Sequence, residues 1–220
     1  MKEIASGRGW QATFMTKPTS DGASSGMHFN LSLWTTAGQN AFYDPDAACR
    51  LSVVGRHWAA GLVRHASALT ALLSPTVNCY RRLHQSFVPD RADCRLDDRS
   101  AMVRVVTSGP RSTYVENRLP SAAANPYLVL AATAAAGIDG LVNRLELPPE
   151  DRDGDKLPSS LSEALTALEA DTVLCDALGQ QLVRWFLLVK RQLEIDTVSR
   201  AKAEGREEMQ AERELYFQFL

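Results

Sequence analysis

The stretch from Ala101 to Leu128 constrains the fold of this chain most strongly. Residues 101–106 and 113–119 have the composition of strands, and Ser108-Gly109-Pro110 between them is typical of a turn that joins an antiparallel pair. Asn125-Pro126 follows, with a residue suited to an N-cap and a proline at the first helical position. The stretch therefore predicts two antiparallel strands that lead into an alanine-rich helix.

The second of these predicted strands carries opposite charges on one face. Because side chains alternate along a strand, Tyr114, Glu116 and Arg118 should point one way and their neighbours the other. A carboxylate and a guanidinium that share a face can bind a metal ion and an anion side by side. Glu116 and Arg118 are therefore candidate functional residues.

Other segments complete an α+β pattern. Residues 11–16 read as a short strand, and residues 27–33 alternate between apolar and polar side chains, which predicts a strand with one open face. Residues 51–73 carry apolar side chains at three- and four-residue steps, which predicts a helix of several turns, and residues 182–212 are strongly helical. The predicted strands lie mostly in the first part of the chain and the predicted helices mostly in the later part. This order predicts an α+β domain with a largely antiparallel sheet.

Composition and charge argue against several classes of protein. With 220 residues, 45% of them hydrophobic, the chain can bury a large core, and its net charge of −2 argues against a dedicated nucleic-acid surface. It has no apolar run of membrane-spanning length and no N-terminal signal-peptide core. Its four cysteines are widely scattered, which is typical of reduced structural thiols. We expect a cytoplasmic protein that binds neither nucleic acid nor a membrane.

Five motifs occur in the order and approximate spacing of the glutamine synthetase catalytic domain. They are Phe14-Met15-Thr16-Lys17-Pro18, Ser25-Gly26-Met27-His28-Phe29, Asn78-Cys79-Tyr80-Arg81-Arg82-Leu83, the segment Asp98 to Arg104, and Glu116-Asn117-Arg118 continuing to Asn125-Pro126-Tyr127-Leu128. The chain thus resembles the glutamine synthetase superfamily over nearly its whole length. The resemblance implies that residues 1–220 form the C-terminal part of that catalytic domain, with a curved, largely antiparallel sheet flanked by helices.

The resemblance also implies roles for the polar candidates. His28 and Glu116 match two ligands of the metal near the terminal phosphate of the nucleotide. Arg99 and Arg104 match arginines that hold the ATP phosphates and the transferred phosphoryl group, and Asn30 stands at a nucleotide contact. The implied cofactors are therefore ATP and Mg²⁺ or Mn²⁺.

Arg82 and Arg118 match the arginines that bind the glutamate substrate. The implied reaction is phosphorylation of a side-chain carboxylate by ATP, followed by attack of ammonia on the acyl phosphate, with metals and arginines stabilising the developing charge. Assembly of identical subunits into stacked rings is a further implication of the resemblance.

Several positions depart from the family's motifs. Asn30 stands where the family has a histidine, and Ala23-Ser24 replaces an Asn-Gly pair. Aligning the flap on Phe87 places Val88 at the position of the glutamate that shields the intermediate and helps deprotonate ammonium. A valine cannot accept a proton, although Asp90 is an alternative acid after a one-residue gap. These substitutions predict impaired catalysis.

Within the superfamily, the stretches 32–34, 57–65 and 125–141 resemble the lengsin subfamily of the vertebrate lens. That resemblance implies a protein without synthetase activity that acts through protein interactions, with intermediate-filament proteins as partners. The family's N-terminal β-grasp domain and acidic metal ligands lie upstream of the matched part, so we expect a fragment of a longer protein or an inactive truncated form. The alternative is an active ATP-dependent glutamate–ammonia or glutamate–amine ligase whose remaining site residues lie upstream.

Overall fold

A four-stranded sheet forms the centre of the computed structural model, which describes residues 1–83, 85, 88–149 and 153–220. The strands are β1 Phe29–Leu31, β2 Arg91–Ala92, β3 Cys94–Leu96, β4 Val103–Thr107, β5 Thr113–Asn117 and β6 Asp155–Lys156. The order across the main sheet is β1-β5-β4-β3, in which β5 is antiparallel to both of its neighbours and β3 is parallel to β4. Strands β2 and β6 form a separate antiparallel pair.

Helices cover the apolar face of the sheet. The α-helices are α1 Lys2–Ser6, α2 Val53–Arg64, α3 Ala66–Leu73, α4 Pro126–Val142, α5 Leu161–Ala170, α6 Thr172–Leu178, α7 Gln180–Val189, α8 Asp196–Ala203 and α9 Glu208–Tyr216. Short 3-10 helices span Ala48–Arg50 and Val77–Arg81, and a π-helical segment, Lys190–Ile195, joins α7 to α8. The predicted α+β architecture with a largely antiparallel sheet is confirmed.

Local capping follows the sequence closely at α4. The side chain of Asn125 accepts a hydrogen bond of 2.9 Å from the backbone N–H of Tyr127, and Pro126 occupies the first helical position, where its missing N–H is not needed. The hairpin of β4 and β5 is also present, with Val103 opposite Asn117. The predicted passage from hairpin to helix is therefore confirmed.

The strand predicted at residues 11–16 is wrong. No strand is assigned there, and the backbone of Lys17 is bonded instead by the side chain of Asn78, which accepts from its N–H at 2.7 Å and donates to its carbonyl at 2.9 Å. Met15 and Thr16 are nevertheless fully buried. The apolar pattern that predicted a strand comes from the burial of Met15 and Thr16 beneath other elements. The backbone of the neighbouring Lys17 is hydrogen-bonded by the side chain of Asn78, which is distant in sequence, and not by another strand.

Helices α2 and α4 touch backbone to backbone because glycines line their contact. A Cβ atom added at Gly61 would lie 2.0 Å from the carbonyl oxygen of Ala136, and one added at Gly140 would lie 2.1 Å from that of His57. Both distances are far below any van der Waals contact, so these positions admit only glycine. This close approach anchors α4, the next helix after β5 in the chain.

The helical C-terminal part contains one sharp bend and one break. The helical stretch predicted over residues 182–212 is broken at Gly205, since α8 ends at Ala203 and Gly205 has a φ of +76°. In the described part of the chain, no single helix is long and apolar enough to cross a membrane. Thr172–Leu178 and Gln180–Ala203 reach that length and hydropathy only when taken together across a bend of 105°.

His65 interrupts the helix that was predicted to run through residues 51–73. Its backbone lies between α2 and α3, and its buried imidazole has Nδ1 2.6 Å from Asp171 Oδ2 and Nε2 3.0 Å from Asp139 Oδ2. Burial opposes a charge on this ring, but the hydrogen bonds to Asp171 and Asp139 outweigh it and raise the pKa of His65. The imidazolium thus ties α2 and α3 to α4 and α6.

We expect the substitution His65→Gln to lower the free energy of unfolding by about 2 kcal/mol at pH 6. The folded state holds the His65 proton more tightly than the unfolded chain does, so this contribution is complete below pH ~6.5. It is lost as the pH rises through the raised pKa. Urea denaturation of both proteins between pH 5.5 and 9 measures the effect, and equal pH dependence in the two would contradict it.

Candidate functional site

The register of the main sheet lines up the candidate side chains. Glu116 on β5 lies directly opposite Asn30 on β1 and directly opposite Arg104 on β4. Directly opposite residues of neighbouring strands point to the same face, so these three side chains share the open face of the sheet. Phe29 and Val115 lie on the other face, where they pack in the main core.

The carboxylate of Glu116 is the centre of this face. Arg104 Nη1 donates to its Oε2 at 3.1 Å, and Arg118 Nη1 donates to its Oε1 at 3.0 Å. His28 Nδ1 lies 2.8 Å from the same Oε1. Burial by itself would raise the pKa of Glu116, but Arg104, Arg118 and His28 together lower it. Glu116 is therefore an ionised carboxylate that holds these groups together.

His28 is placed at the entrance of this arrangement. Its side chain is 38% exposed, whereas that of Glu116 is only 7% exposed, so a ligand reaches His28 first. Burial and the guanidinium of Arg118 lower the pKa of His28, and they outweigh the opposing effect of Glu116. The neutral imidazole that results at neutral pH is the form that binds metal ions.

Arg82 and Arg118 form a buried pair of guanidinium groups beside His28. Arg82 reaches the end of β5, where Nη1 donates to the carbonyl of Leu119 at 3.3 Å and Nη2 to that of Arg118 at 3.4 Å. Gly26 makes this path possible, because a Cβ atom there would lie 2.6 Å from Arg82 Nη2. The Nε of Arg118 has no hydrogen-bond partner among the described residues. The pair thus has donor capacity left for an anion.

Asp97 holds the outer side of Arg104. Its carboxylate accepts from Arg104 Nε at 3.1 Å and also from Nη2. The Asp97 backbone has a φ of +50°, which is unusual for a residue other than glycine. The sequence motifs gave no signal for Asp97, since its role follows only from the path of the loop between β3 and β4. Gly26 was part of a motif, but its contact with Arg82 was not foreseen either.

Three of the residues singled out from the sequence have no side-chain hydrogen bond or ion pair to Glu116 among the described residues. Arg99 is exposed on the loop before β4, within the turn in which Asp98 accepts hydrogen bonds from Ser100. Asn30 is exposed at the edge of the sheet. Val88 is half-buried and packs against the main core. Phe87, on which the flap was aligned, lies outside the described residues.

The donor set fits a partial site for a divalent metal. Two ligands of one octahedral ion at about 2.1 Å each lie about 3 Å apart, and His28 Nδ1 and Glu116 Oε1 are 2.8 Å apart. Within the described ranges no group of three or more His, Cys, Asp or Glu residues is close enough to hold an ion. The pair would therefore share a metal with other ligands, as Mg²⁺ does when phosphates and water complete its shell.

The sequence matches a known family over most of its length. The family model described as "Glutamine synthetase, catalytic domain" matches residues 1–209. A glutamine synthetase of Thermus thermophilus is 40% identical over 211 residues, which are 89% of this chain and 47% of that protein. Lengsin of Rattus norvegicus is 37% identical over 177 residues, 73% of this chain and 31% of lengsin. The chain spans about half the length, or less, of these relatives.

Solved structures agree with the sequence relatives. A structure described as a novel glutamine synthase homolog superposes with a TM-score of 0.83 at 32% identity, covering 98% of this chain and 51% of that one. A GmaS/ADP complex superposes with a TM-score of 0.79 at 34% identity, covering 94% and 49%. The chain therefore belongs to the glutamine synthetase family and has the fold of its catalytic domain.

Proposed function

We propose that this chain provides the anion-binding half of a glutamine synthetase-type site and that its turnover is impaired. Arg104 binds the nucleotide phosphates, with Arg99 and Asn30 as outer nucleotide contacts. Arg82 and Arg118 bind a carboxylate substrate, and His28 and Glu116 bind Mg²⁺ or Mn²⁺. In this proposal the chain is the C-terminal part of a larger cytoplasmic catalytic domain, and further metal ligands come from outside it.

One observation carries the proposal: the Glu116 carboxylate binds Arg104, Arg118 and His28 on one open face of the sheet. Guanidinium groups bind phosphates and carboxylates through paired hydrogen bonds, and Arg118 retains a buried donor without a partner among the described residues. A bound Mg²⁺ would neutralise charge on the phosphates. One of the similar solved structures is a complex with ADP, which supports a nucleotide as one of the anions that this chain binds.

Impaired turnover is supported by the position of Val88. Its side chain packs against the main core and has no group that accepts a proton from ammonium. Asp90, the alternative acid, is exposed, and its backbone carbonyl accepts from Leu157 N–H at 2.9 Å. Tyr114 also stands where the family has a phosphate-facing arginine. Binding of nucleotide is therefore expected to persist after the catalytic step has been weakened.

The second candidate is an active glutamate–ammonia or glutamate–amine ligase. The 2.8 Å contact between His28 and Glu116 supports it, because the two side chains are close enough to share a metal ion. A lengsin-like role is a further proposal, in which the protein acts through contacts with intermediate-filament proteins. Its support is the sequence similarity to lengsin, which is comparable in identity to that of the glutamine synthetases.

Assembly of identical subunits into stacked rings remains a proposal that rests on family membership.

We expect Mg-ATP to bind the 220-residue chain through Arg104. The substitution Arg104→Gln should weaken binding about tenfold, since a charge-assisted hydrogen bond to phosphate is lost. Asp97→Asn should tighten binding about threefold, because the carboxylate that competes for the same guanidinium is removed. Isothermal titration calorimetry measures both constants.

Two variants control for overall charge. Arg111→Gln removes an exposed arginine from the turn between β4 and β5, and Asp46→Asn removes an exposed carboxylate outside the site. Neither should change the affinity by more than about twofold at physiological salt. Failure of Mg-ATP to bind, or equal effects of the site and control variants, would contradict the nucleotide assignment.

Turnover separates the two candidate functions. We expect no ATP- and glutamate-dependent formation of γ-glutamyl hydroxamate from hydroxylamine above that of a Glu116→Ala variant, because Val88 supplies no proton acceptor. The hydroxamate is measured colorimetrically, beside the calorimetric titration of the same preparation. Turnover above the variant would establish the active ligase instead.

A further inference from the structure

A buried carboxylate on the last helix binds the segment that precedes Arg82. Glu212 lies on α9, and its side chain is only 1% exposed. It forms a paired contact with Arg81, in which Nε donates to Oε2 at 2.9 Å and Nη2 donates to Oε1 at 2.8 Å. Asn78 Nδ2 donates to Oε2 at 2.7 Å. Charge-assisted hydrogen bonds therefore tie α9 to the 3-10 helix Val77–Arg81.

The contact with Arg81 fixes the backbone that carries Arg82. Arg82 is the next residue in the chain, and its backbone N–H donates to the carbonyl of Cys79 at 3.0 Å. From there its buried guanidinium reaches the carbonyls of Leu119 and Arg118 at 3.3 and 3.4 Å. Hydrogen bonds of this length lie at the weak end of the usual range. A small shift of the backbone is therefore enough to lose them.

The contact with Asn78 reaches the loop that carries Gly26. The same Nδ2 group donates to the carbonyl of Lys17 at 2.9 Å, and Oδ1 accepts from the Lys17 N–H at 2.7 Å. The carbonyl of the residue before Lys17 accepts from the Ser25 N–H at 2.8 Å. Gly26 follows Ser25, and it is the residue that leaves room for the guanidinium of Arg82. The orientation of the Asn78 amide thus affects both sides of this loop.

Glutamine cannot replace the Glu212 carboxylate, although it has the same shape. Oε1 accepts from Arg81, and Oε2 accepts from Arg81 and from Asn78. An amide has one accepting oxygen and one NH₂ group, so Glu212→Gln places donor against donor at one of these contacts. That contact then opens. Glu208 lies 3.4 Å from Arg81 Nη2, which is too far for it to take over the paired geometry.

We propose that Glu212 is a positioning residue for the guanidinium of Arg82. Through Arg81 it fixes the backbone from which that guanidinium extends. Through Asn78 it fixes the loop of Gly26, against which the guanidinium packs. Glu212 thus acts on carboxylate binding through Arg82 and not by touching the ligand. The consequence for binding rests on the proposed function, in which Arg82 binds a carboxylate substrate; the positioning itself does not.

Amide hydrogen exchange of the 220-residue chain, followed by NMR, tests the positioning without any ligand. The reporter amides are those of Lys17 and Arg82, and we expect Glu212→Gln to accelerate their exchange at least about tenfold. The reference is the amide of Val129 in α4, whose N–H donates to the carbonyl of Asn125 at 3.0 Å and which should change much less. No acceleration, or equal acceleration at reporter and reference amides, would overturn the proposal.

A second buried carboxylate provides the control for stability. Glu194 pairs with Lys190, and its Oε2 accepts a 2.8 Å hydrogen bond from the Tyr216 hydroxyl. Glu194→Gln should also destabilise the fold, because it removes the charge while keeping an acceptor for Tyr216. It leaves the contacts of Glu212 intact, so it should not accelerate the reporter amides relative to the reference. Selective acceleration in this variant as well would contradict the assignment to Glu212.

A milder change at Arg81 covers the case in which Glu212→Gln does not fold. The side chain of Arg81 is 33% exposed, so a substitution there is tolerated more easily. Arg81→Lys keeps the positive charge but loses the paired geometry of the guanidinium. We expect exchange about threefold faster at the Arg82 amide and unchanged at Lys17, which depends on Asn78. Unchanged exchange at Arg82 would overturn the route through Arg81.

Calorimetric titration with L-glutamate connects the positioning to the proposed carboxylate site. Glu212→Gln should weaken L-glutamate about tenfold and change the affinity for Mg-ATP by less than about twofold. The second expectation follows because Arg104 is held by Asp97 and Glu116. Glu194→Gln should change neither affinity. An equal loss of both ligands in Glu212→Gln, or an unchanged affinity for L-glutamate, would overturn the role in binding.

The two measurements also separate this role from the proposed function. Failure of L-glutamate to bind the unsubstituted chain would refute the carboxylate assignment of Arg82 and Arg118. The exchange rates of the reporter amides would still decide whether Glu212 positions Arg82. Binding of L-glutamate together with unchanged exchange rates in Glu212→Gln would leave the proposed function standing and overturn the positioning role.

Discussion

Glu116 is the residue on which the geometry of the open sheet face depends. Two guanidinium groups and an imidazole lie within hydrogen-bond distance of one carboxylate that is almost completely buried. Without that negative charge, Arg104 and Arg118 would repel each other in a medium that screens charge poorly. The register of β1, β4 and β5 places the carboxylate between its partners. The pairing of these strands therefore also determines the geometry of the site.

In the proposed function, anion binding and turnover depend on different parts of the chain. The arginines are held by backbone carbonyls and by Glu116, and those contacts do not involve the flap. Val88, which the sequence alignment places in the flap, is half-buried and packs against the main core. The proposal therefore allows a change in the flap to weaken proton transfer while the arginines keep their positions.

Much of this arrangement follows from local patterns. The period of two along β5 predicts that Glu116 and Arg118 share a face, and the structure places their side chains 3.0 Å apart. The cap at Asn125 is equally local. Asp97 and His65 were not foreseen, because their roles depend on partners brought close by the tertiary fold. The apolar residues before Lys17 were misread as a strand because burial by distant elements leaves the same signal.

Titration of the His28 imidazole by NMR tests the central account most directly. His28 is the accessible member of the Glu116 cluster, and its protonation state reports on burial, on Arg118 and on Glu116 at once. The account predicts a pKa below the ordinary value of about 6.5, and a further drop when Mg²⁺ is added, because a metal competes with the proton. A pKa at or above the ordinary value, unchanged by Mg²⁺, would contradict it.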